Sequence, residues 1–177
     1  MRLIILDRDG VINRESDAYI KSPEEWIPIP GSLEAIARLH KNGYTVVVAT
    51  NQAGVGRGLF TLDTLAAIHS SMRRAVEASD GKLDGIFFCP HAPDAGCDCR
   101  KPRTGLFKQI AERYGVSLAG VPVIGDTERD LIAARNAGAR PILVETGRGH
   151  ETLHMHPDVE HYPDLAAAAT QLIREIH

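Results

Sequence analysis

The sequence LIILDRDG, residues 3–10, decides how the rest of the chain is interpreted. Residues 3–6 form an apolar run without polar alternation, which is typical of a strand covered on both faces of a parallel sheet. The run ends at Asp7, and Asp9 follows two residues later. Two carboxylates at this spacing can share a site in different roles, one as a nucleophile and the other as a proton carrier. A solvated acidic turn is the alternative for this pair taken alone.

Further short apolar runs alternate with longer segments of helical period along the whole chain. The predicted strands are residues 3–6, 44–49, 85–88, 121–124 and 141–144. The predicted helices are residues 32–41, 62–78, 105–114, 129–137 and 163–176. This order predicts an α/β fold with a doubly wound parallel sheet and right-handed crossovers. We expect residues 1–177 to form a single domain.

Composition narrows the classes of function. The chain has a net charge of −3 and no run of Lys or Arg, so we expect no nucleic-acid partner. The apolar stretch before the first aspartate is too short for a signal peptide or a membrane span. We therefore expect a cytoplasmic protein without a membrane partner. A monomer is the expected state, although no pattern in the sequence reports it.

Polar residues follow the ends of other predicted strands as well. Thr50 and Asn51 follow the second strand and offer donors to phosphate oxygens, although this pair is also common in turns. Asp126 ends the fourth strand, and Asp130 follows one helical turn later. In open α/β sheets ligands bind beyond the carboxyl ends of strands, so these side chains are expected to meet the first carboxylate pair. Such hard oxygen ligands predict Mg²⁺, and a helix-capping role is the alternative for Asp126.

All three cysteines of the chain lie in one short segment together with a histidine. The four candidate zinc ligands are Cys89, His91, Cys97 and Cys99. Three thiolates and one imidazole form a closed tetrahedral set, which indicates structural Zn²⁺. Buried cysteines with a surface histidine are the alternative. Arg100 and Lys101 follow this segment directly. An arginine can bind an anion with two hydrogen bonds, and a lysine can neutralise charge on a transferring phosphoryl group. A solvated basic pair is the alternative.

Taken together, these motifs resemble those of the haloacid dehalogenase superfamily of phosphotransferases. The D-x-D-G, Thr-Asn, Lys and G-D-x-x-x-D motifs occur in the order of that family. The Cys/His segment narrows the resemblance to the zinc-containing subgroup without a cap domain. The resemblance implies a Rossmann-like fold, Mg²⁺ and Zn²⁺ as cofactors, and a small sugar phosphate as substrate. Members of this subgroup act on D-glycero-D-manno-heptose 1,7-bisphosphate or on histidinol phosphate. The resemblance favours removal of the C7 phosphate of the heptose compound, and histidinol phosphate is the alternative substrate.

The resemblance also implies roles for the matching residues. Asp7 would form an aspartyl-phosphate, and Asp9 would act as general acid and then as general base. Asp126 would ligate Mg²⁺ with Asp7 and the backbone carbonyl of Asp9, and Asp130 would support these ligands without touching the ion. The residues that would hold the phosphoryl group or the sugar are Thr50, Asn51, Arg57, Arg100 and Lys101. Substrate choice would fall to loops 11–30 and 53–60 and to the zinc loop.

Several segments and histidines of the sequence have no predicted catalytic role. Residues 54–58 are predicted to be a flexible loop. His150, His154 and His156 are predicted to lie in a solvated turn, and a second metal site is the alternative. His69 lies in a predicted helix without a predicted function. A zinc-stabilised module that binds a cation without chemistry is the alternative from another class of protein.

Overall fold

The computed structural model describes residues 1–177 and contains one six-stranded sheet in which all neighbouring strands are parallel. Its strands are β1 (Arg2–Leu6), β2 (Tyr44–Asn51), β3 (Gly85–Cys89), β4 (Pro122–Gly125), β5 (Arg140–Val144) and β6 (His161–Tyr162). The order across the sheet is β3-β2-β1-β4-β5-β6. The chain therefore winds outwards from β1 in both directions, and the point where it reverses lies between β1 and β4. The predicted doubly wound α/β sheet is confirmed.

The strand β1 shows why its sequence lacks polar alternation. Ile4 and Leu6 point into the larger hydrophobic core, whereas Leu3 and Ile5 point into the smaller one on the other face. Both faces of the strand are thus removed from water, and every position favours an apolar side chain.

Seven helices cover the sheet and its edges. They are α1 (Ser32–Lys41), α2 (Ala53–Gly56), α3 (Leu62–Ala78), α4 (Gly105–Tyr114), α5 (Glu128–Asn136), α6 (Gly149–Met155) and α7 (Leu165–Arg174). The larger core holds apolar residues of α1, α3 and α7, and the smaller core holds those of α4 and α5. None of the helices has the length and apolar character needed to span a membrane.

Four details differ from the sequence-based expectations. β3 is mostly half-buried, because it is an edge strand and only β2 pairs with it. Residues 53–56 form the helix α2, and residues 149–155 form α6, so neither segment is simply a loop or a turn. The strand β6 has two residues, which is too short for a periodic pattern to reveal.

Candidate active site

A cavity of about 450 Å³ opens at the carboxyl ends of the central strands. It contains eight of the nine residues predicted for the phosphoryl site. These are Asp7, Asp9, Asn51, Arg57, Arg100, Lys101, Asp126 and Asp130. Segments before α1, around α2 and in the cysteine loop also contribute to the wall, as predicted for the three loops. The ninth residue, Thr50, is fully buried outside the wall.

Strand pairing brings Asp7 beside Asp126. The N–H of Asp7 donates to the carbonyl of Ile124 at 2.9 Å, which continues the pairing of β1 with β4. The residues that follow both strands therefore leave the sheet side by side. One carboxylate oxygen from each of Asp7, Asp126 and Asp130 lies within 4.8 Å of the other two. The predicted meeting of acids from the first and fourth strands is present.

Lys101 lies between two of these acids and is almost completely buried. Its Nζ donates to Asp130 Oδ1 at 2.6 Å and to the carbonyl of Ala49 at 2.8 Å, and it lies 3.2 Å from Asp7 Oδ1. Burial alone would lower the pKa of this amine, but Asp130 and Asp7 outweigh it and raise the pKa above its ordinary value. Lys101 is therefore a fixed positive charge next to Asp7.

The charge of Lys101 does not neutralise all three acids. Burial and Asp130 raise the pKa of Asp7 to about 7, against the opposing effect of Lys101. Burial, Asp7 and Asp130 also raise the pKa of Asp126 well above its ordinary value. For Asp130, burial is outweighed by Lys101, and its pKa is lowered. The site thus holds more negative charge than its own cation offsets.

The free oxygens of the cluster fit a divalent cation. Asp126 Oδ1 is buried without any hydrogen-bond partner, and Asp7 Oδ2 also has none within the protein. Asp130 differs, because Oδ1 contacts Lys101 while Oδ2 accepts from Thr127 and from the N–H of Asp126. Asp7 and Asp126 can therefore ligate an ion directly, whereas Asp130 holds Lys101 and the start of α5. Carboxylate oxygens of this kind suit Mg²⁺.

Two glycines make room for the carboxylate of Asp126. A Cβ on Gly10 would lie 2.0 Å from Asp126 Oδ2, and one on Gly147 would lie 2.3 Å from the same atom. Both residues have positive φ, of 83° and 58°. The N–H of Arg148 donates to the same oxygen at 3.0 Å, which fixes the orientation of Asp126. The segment after β5 is therefore part of the site.

Asp9 is held by an unequal set of donors. Its Oδ1 accepts from Asn13 at 2.9 Å and from two nitrogens of Arg8, at 2.7 and 3.2 Å. Its Oδ2 accepts only from Gln52, at 3.0 Å. Burial would raise the pKa of Asp9, but Arg8 and these hydrogen bonds outweigh it and lower the pKa. Without substrate, Asp9 is therefore a carboxylate whose Oδ2 remains open to the cavity.

The residues after β2 divide into two functions. Thr50 Oγ1 accepts from Gln52 at 3.0 Å, so its hydroxyl is connected to Asp9 through that amide. Asn51 forms two hydrogen bonds with the backbone of Lys101, at 3.0 and 3.1 Å. Asn51 thus holds the lysine segment in place across the sheet, a role that sequence reasoning did not foresee. Gln52, the third residue of this polar run after β2, provides the connection between Thr50 and Asp9.

Basic side chains surround the outer part of the cavity. Arg57 and Arg129 are exposed on its wall and form no salt bridge. Arg100 Nη1 is buried without a hydrogen-bond partner. Burial and the nearby charge of Arg129 lower the pKa of Arg100. Unpaired guanidinium groups at a cavity mouth suit an anionic group on the ligand. Arg129 was missed because it lies inside the G-D-x-x-x-D motif, where only the acids were interpreted.

The cysteine loop brings its four predicted ligands together. The ligand atoms of Cys89, His91, Cys97 and Cys99 all lie within 4.8 Å of one another. His91 Nδ1 is 3.4 Å from Cys89 Sγ and 3.3 Å from Cys99 Sγ, and the Sγ atoms of Cys89 and Cys97 are 3.6 Å apart. Sulfur ligands around a tetrahedral zinc ion at a bond length of about 2.3 Å are separated by roughly 3.8 Å. The Sγ atoms of Cys89 and Cys99 are closer, at 2.9 Å. The donor set fits Zn²⁺.

Comparison with known proteins agrees with this geometry. The family model described as polynucleotide kinase 3 phosphatase matches residues 2–128, and the one described as HAD-hydrolase-like matches residues 98–170. The D-glycero-beta-D-manno-heptose-1,7-bisphosphate 7-phosphatase of Bordetella bronchiseptica is 56% identical over 99% of both chains. The protein of the same name from Pseudomonas putida is 54% identical over 98% of this chain and 100% of its own.

Solved structures of similar proteins indicate the same family. The crystal structure of the D,D-heptose 1,7-bisphosphate phosphatase of B. bronchiseptica, complexed with magnesium and phosphate, has a TM-score of 0.96 and 57% identity, covering 99% of both chains. The phosphatase of Burkholderia thailandensis with the same description has a TM-score of 0.78 and 45% identity, covering 98% of this chain and 99% of its own. The chain therefore belongs to the D-glycero-β-D-manno-heptose-1,7-bisphosphate 7-phosphatase family of haloacid-dehalogenase-like hydrolases.

Proposed function

We propose that this chain is a magnesium-dependent phosphatase that removes the C7 phosphate of D-glycero-D-manno-heptose 1,7-bisphosphate. One observation carries the proposal: a carboxylate oxygen of Asp7 without a partner faces the same cavity as the open oxygen of Asp9, next to the fixed charge of Lys101. A cation-binding module without catalysis needs no such pairing of a nucleophile with a proton carrier. The substrate is supported by relatives of that name that align with the whole chain.

The residues divide the reaction into two phosphoryl transfers. A carboxylate oxygen of Asp7 attacks the phosphorus, the bond from phosphorus to the sugar oxygen breaks, and Asp9 gives its proton to that oxygen. A water molecule then attacks the aspartyl-phosphate while Asp9 takes the water's proton, so that phosphate leaves and Asp7 is free again. The dianionic phosphate beside Asp9 favours its protonated form on substrate binding. Lys101 offsets charge on the transferring group throughout.

Magnesium would be held by Asp7, Asp126 and the backbone carbonyl of Asp9. When bound, it supplies positive charge that offsets the repulsion between the nucleophile and the anionic substrate. Thr50 would assist through Gln52, whereas Arg57 and Arg100 would contact the sugar or its second phosphate.

A substrate panel tests this proposal most directly. We expect phosphate release from heptose 1,7-bisphosphate in the presence of Mg²⁺, a much lower kcat/KM with histidinol phosphate, and no release after Mg²⁺ is chelated. A preference for histidinol phosphate would contradict the proposed substrate. Failure to release phosphate from any sugar phosphate or aryl phosphate would favour the cation-binding module.

Substitution of Gly147 tests the magnesium site. In Gly147→Ala, the new Cβ would lie 2.3 Å from Asp126 Oδ2 and 2.6 Å from the Cα of Gly10, so the carboxylate and the turn after β1 must shift. We expect the Mg²⁺ concentration for half-maximal activity to rise by about tenfold. Gly138→Ala is the matched control, because Gly138 also has positive φ, at 75°, but no atom lies near its Cβ. Both variants place an alanine at positive φ, which costs about 1 kcal/mol of backbone strain. An equal rise in the magnesium requirement of Gly138→Ala would contradict the assignment of the magnesium site.

We also propose that the cysteine loop binds structural Zn²⁺. The loop connects β3 to Arg100 and Lys101, and its end packs tightly: a Cβ on Gly105 would lie 2.4 Å from the carbonyl oxygen of Asp98. A zinc ion binds the thiolate form of these cysteines, so metal binding and the fold of the loop are coupled.

Substitution of Cys99 tests the zinc proposal. We expect Cys99→Ser to lose bound zinc, measured by elemental analysis, and to become sensitive to proteolysis within residues 89–104. The phosphoryl site would lose activity because Lys101 is no longer held in position. Wild-type protein purified without zinc yet fully active would contradict the proposal.

The single-domain organisation, monomeric state, cytoplasmic location and lack of nucleic-acid or membrane partners stay predictions.

A further inference from the structure

The guanidinium of Arg8 is completely buried beside the active site. A buried charge of this kind is costly unless its hydrogen bonds are satisfied. Two of its nitrogens donate to Asp9 Oδ1, and Nη1 lies 3.2 Å from His69 Nε2 on α3. Arg8 therefore connects the carboxylate of Asp9 to a helix that contributes no residue to the cavity wall.

The contact fixes the protonation of His69. A guanidinium can only donate, so Nε2 of His69 must accept, and the imidazole is neutral with its hydrogen on Nδ1. Burial and the charge of Arg8 lower the pKa of His69 to about 3, which agrees with this state. The ring of Phe88 lies 5.9 Å from the ring of His69, centroid to centroid. His69 is thus a buried acceptor with a defined partner, which its place in a predicted helix did not reveal.

The consequence for Asp9 is a difference between its two oxygens. Oδ1 accepts three donors, two from Arg8 and one from Asn13, which leaves it no free position for a substrate proton. Oδ2 accepts only Gln52 and keeps a position for the leaving group. Rotation of the carboxylate would break the contacts on both sides. The orientation of Asp9 therefore depends on the orientation of Arg8.

We propose that His69 is a positioning residue for proton transfer: through Arg8 it holds Asp9 so that Oδ2 alone exchanges the proton with the leaving group. The inference rests on the proposed function, because it assumes that Asp9 protonates the leaving oxygen. Without an acceptor at position 69, Nη1 of Arg8 loses its partner, the guanidinium turns, and Asp9 follows it.

The leaving group gives a measurement that a purely structural role would not change. A sugar alkoxide needs a proton as it departs, whereas 4-nitrophenolate departs without one. For His69→Phe, which keeps a ring but has no acceptor, we expect kcat/KM on the sugar phosphate to fall by about 10²-fold. On 4-nitrophenyl phosphate we expect less than about a threefold loss. His69→Gln restores an acceptor and should recover most of the activity on the sugar phosphate.

The outcomes separate this inference from the proposed function. Equal losses of His69→Phe on both esters, in an otherwise active enzyme, overturn the inference alone. Wild-type protein that hydrolyses neither ester overturns the proposed function and the inference with it. The double variant Arg8→Met/His69→Leu leaves no buried guanidinium without an acceptor, so the same comparison can be made if His69→Phe does not fold. A loss confined to the sugar phosphate in this variant supports the inference, and equal losses overturn it.

Discussion

Asp7→Asn is expected to abolish phosphate release while the protein stays folded. The amide keeps the size of the carboxylate but cannot form an aspartyl-phosphate, and loss of a covalent nucleophile lowers kcat by about 10⁴-fold or more. Zinc content should be unchanged, because Asp7 lies outside the cysteine loop. Phosphate release and zinc content are measured on the same preparation. Substantial residual turnover would contradict the assignment of Asp7 as the nucleophile.

The same substitution is expected to stabilise the protein in magnesium-free solution. Burial and Asp130 raise the pKa of Asp7 to about 7 in the folded chain, against an ordinary value of 3.8. An acid whose pKa is raised by folding loses stability as the pH rises from its ordinary value through its folded value. Asp7→Asn removes this loss, so its Tm should exceed that of wild-type protein at pH 8, and the difference should shrink towards pH 4.

Magnesium and a surface variant provide the controls for this stability effect. Added Mg²⁺ should raise the Tm of the wild type more than that of Asp7→Asn, since the variant lacks one ligand. Asp158→Asn removes an exposed carboxylate far from the cavity and should leave the pH profile of the Tm unchanged. A lower Tm for Asp7→Asn at pH 8 without magnesium would show that the acids do not repel one another as described.

The sequence was sufficient to predict the architecture of the fold, because burial dictates its strands. In β1, every side chain enters one of two cores, so the strand reads as a continuous apolar run. The helices α1, α3 and α4 have the predicted bounds, since their apolar faces and capping residues are local signals. The elements that were missed, α2, α6 and β6, are short, and too few residues define their period.

The catalytic acids were predictable because parallel strands deliver their last residues to one edge of the sheet. The supporting contacts were not, since they depend on side-chain direction and on packing between distant elements. His69 is separated from Arg8 by 61 positions and lies on a helix that otherwise packs in the core. Asn51 looked like a phosphate donor in the sequence, yet both ends of its amide are bonded to the backbone of Lys101.

Lys101→Met is expected to impair both catalysis and folding, because this lysine is the positive charge that lies among three buried acids. Its removal leaves Asp7 and Asp130 without their nearest cation, and breaking a buried ion pair costs about 3–5 kcal/mol of unfolding free energy. The activity should fall by about 10³-fold, since charge on the transferring phosphoryl group is no longer offset. Urea unfolding and phosphate release measure the two effects.

The pH dependence of Lys101→Met distinguishes charge repulsion from lost packing. Without the lysine, the pKa values of the acids rise further in the folded state, so the stability of the variant should recover as the pH falls from 8 to 5. A deficit caused by a packing defect would be the same at both pH values. Lys108→Met is the matched control, because Lys108 is exposed on α4 and forms no salt bridge. A pH-independent loss in Lys101→Met would show that the side chain acts as a packing element, and the electrostatic account of the site would then be wrong.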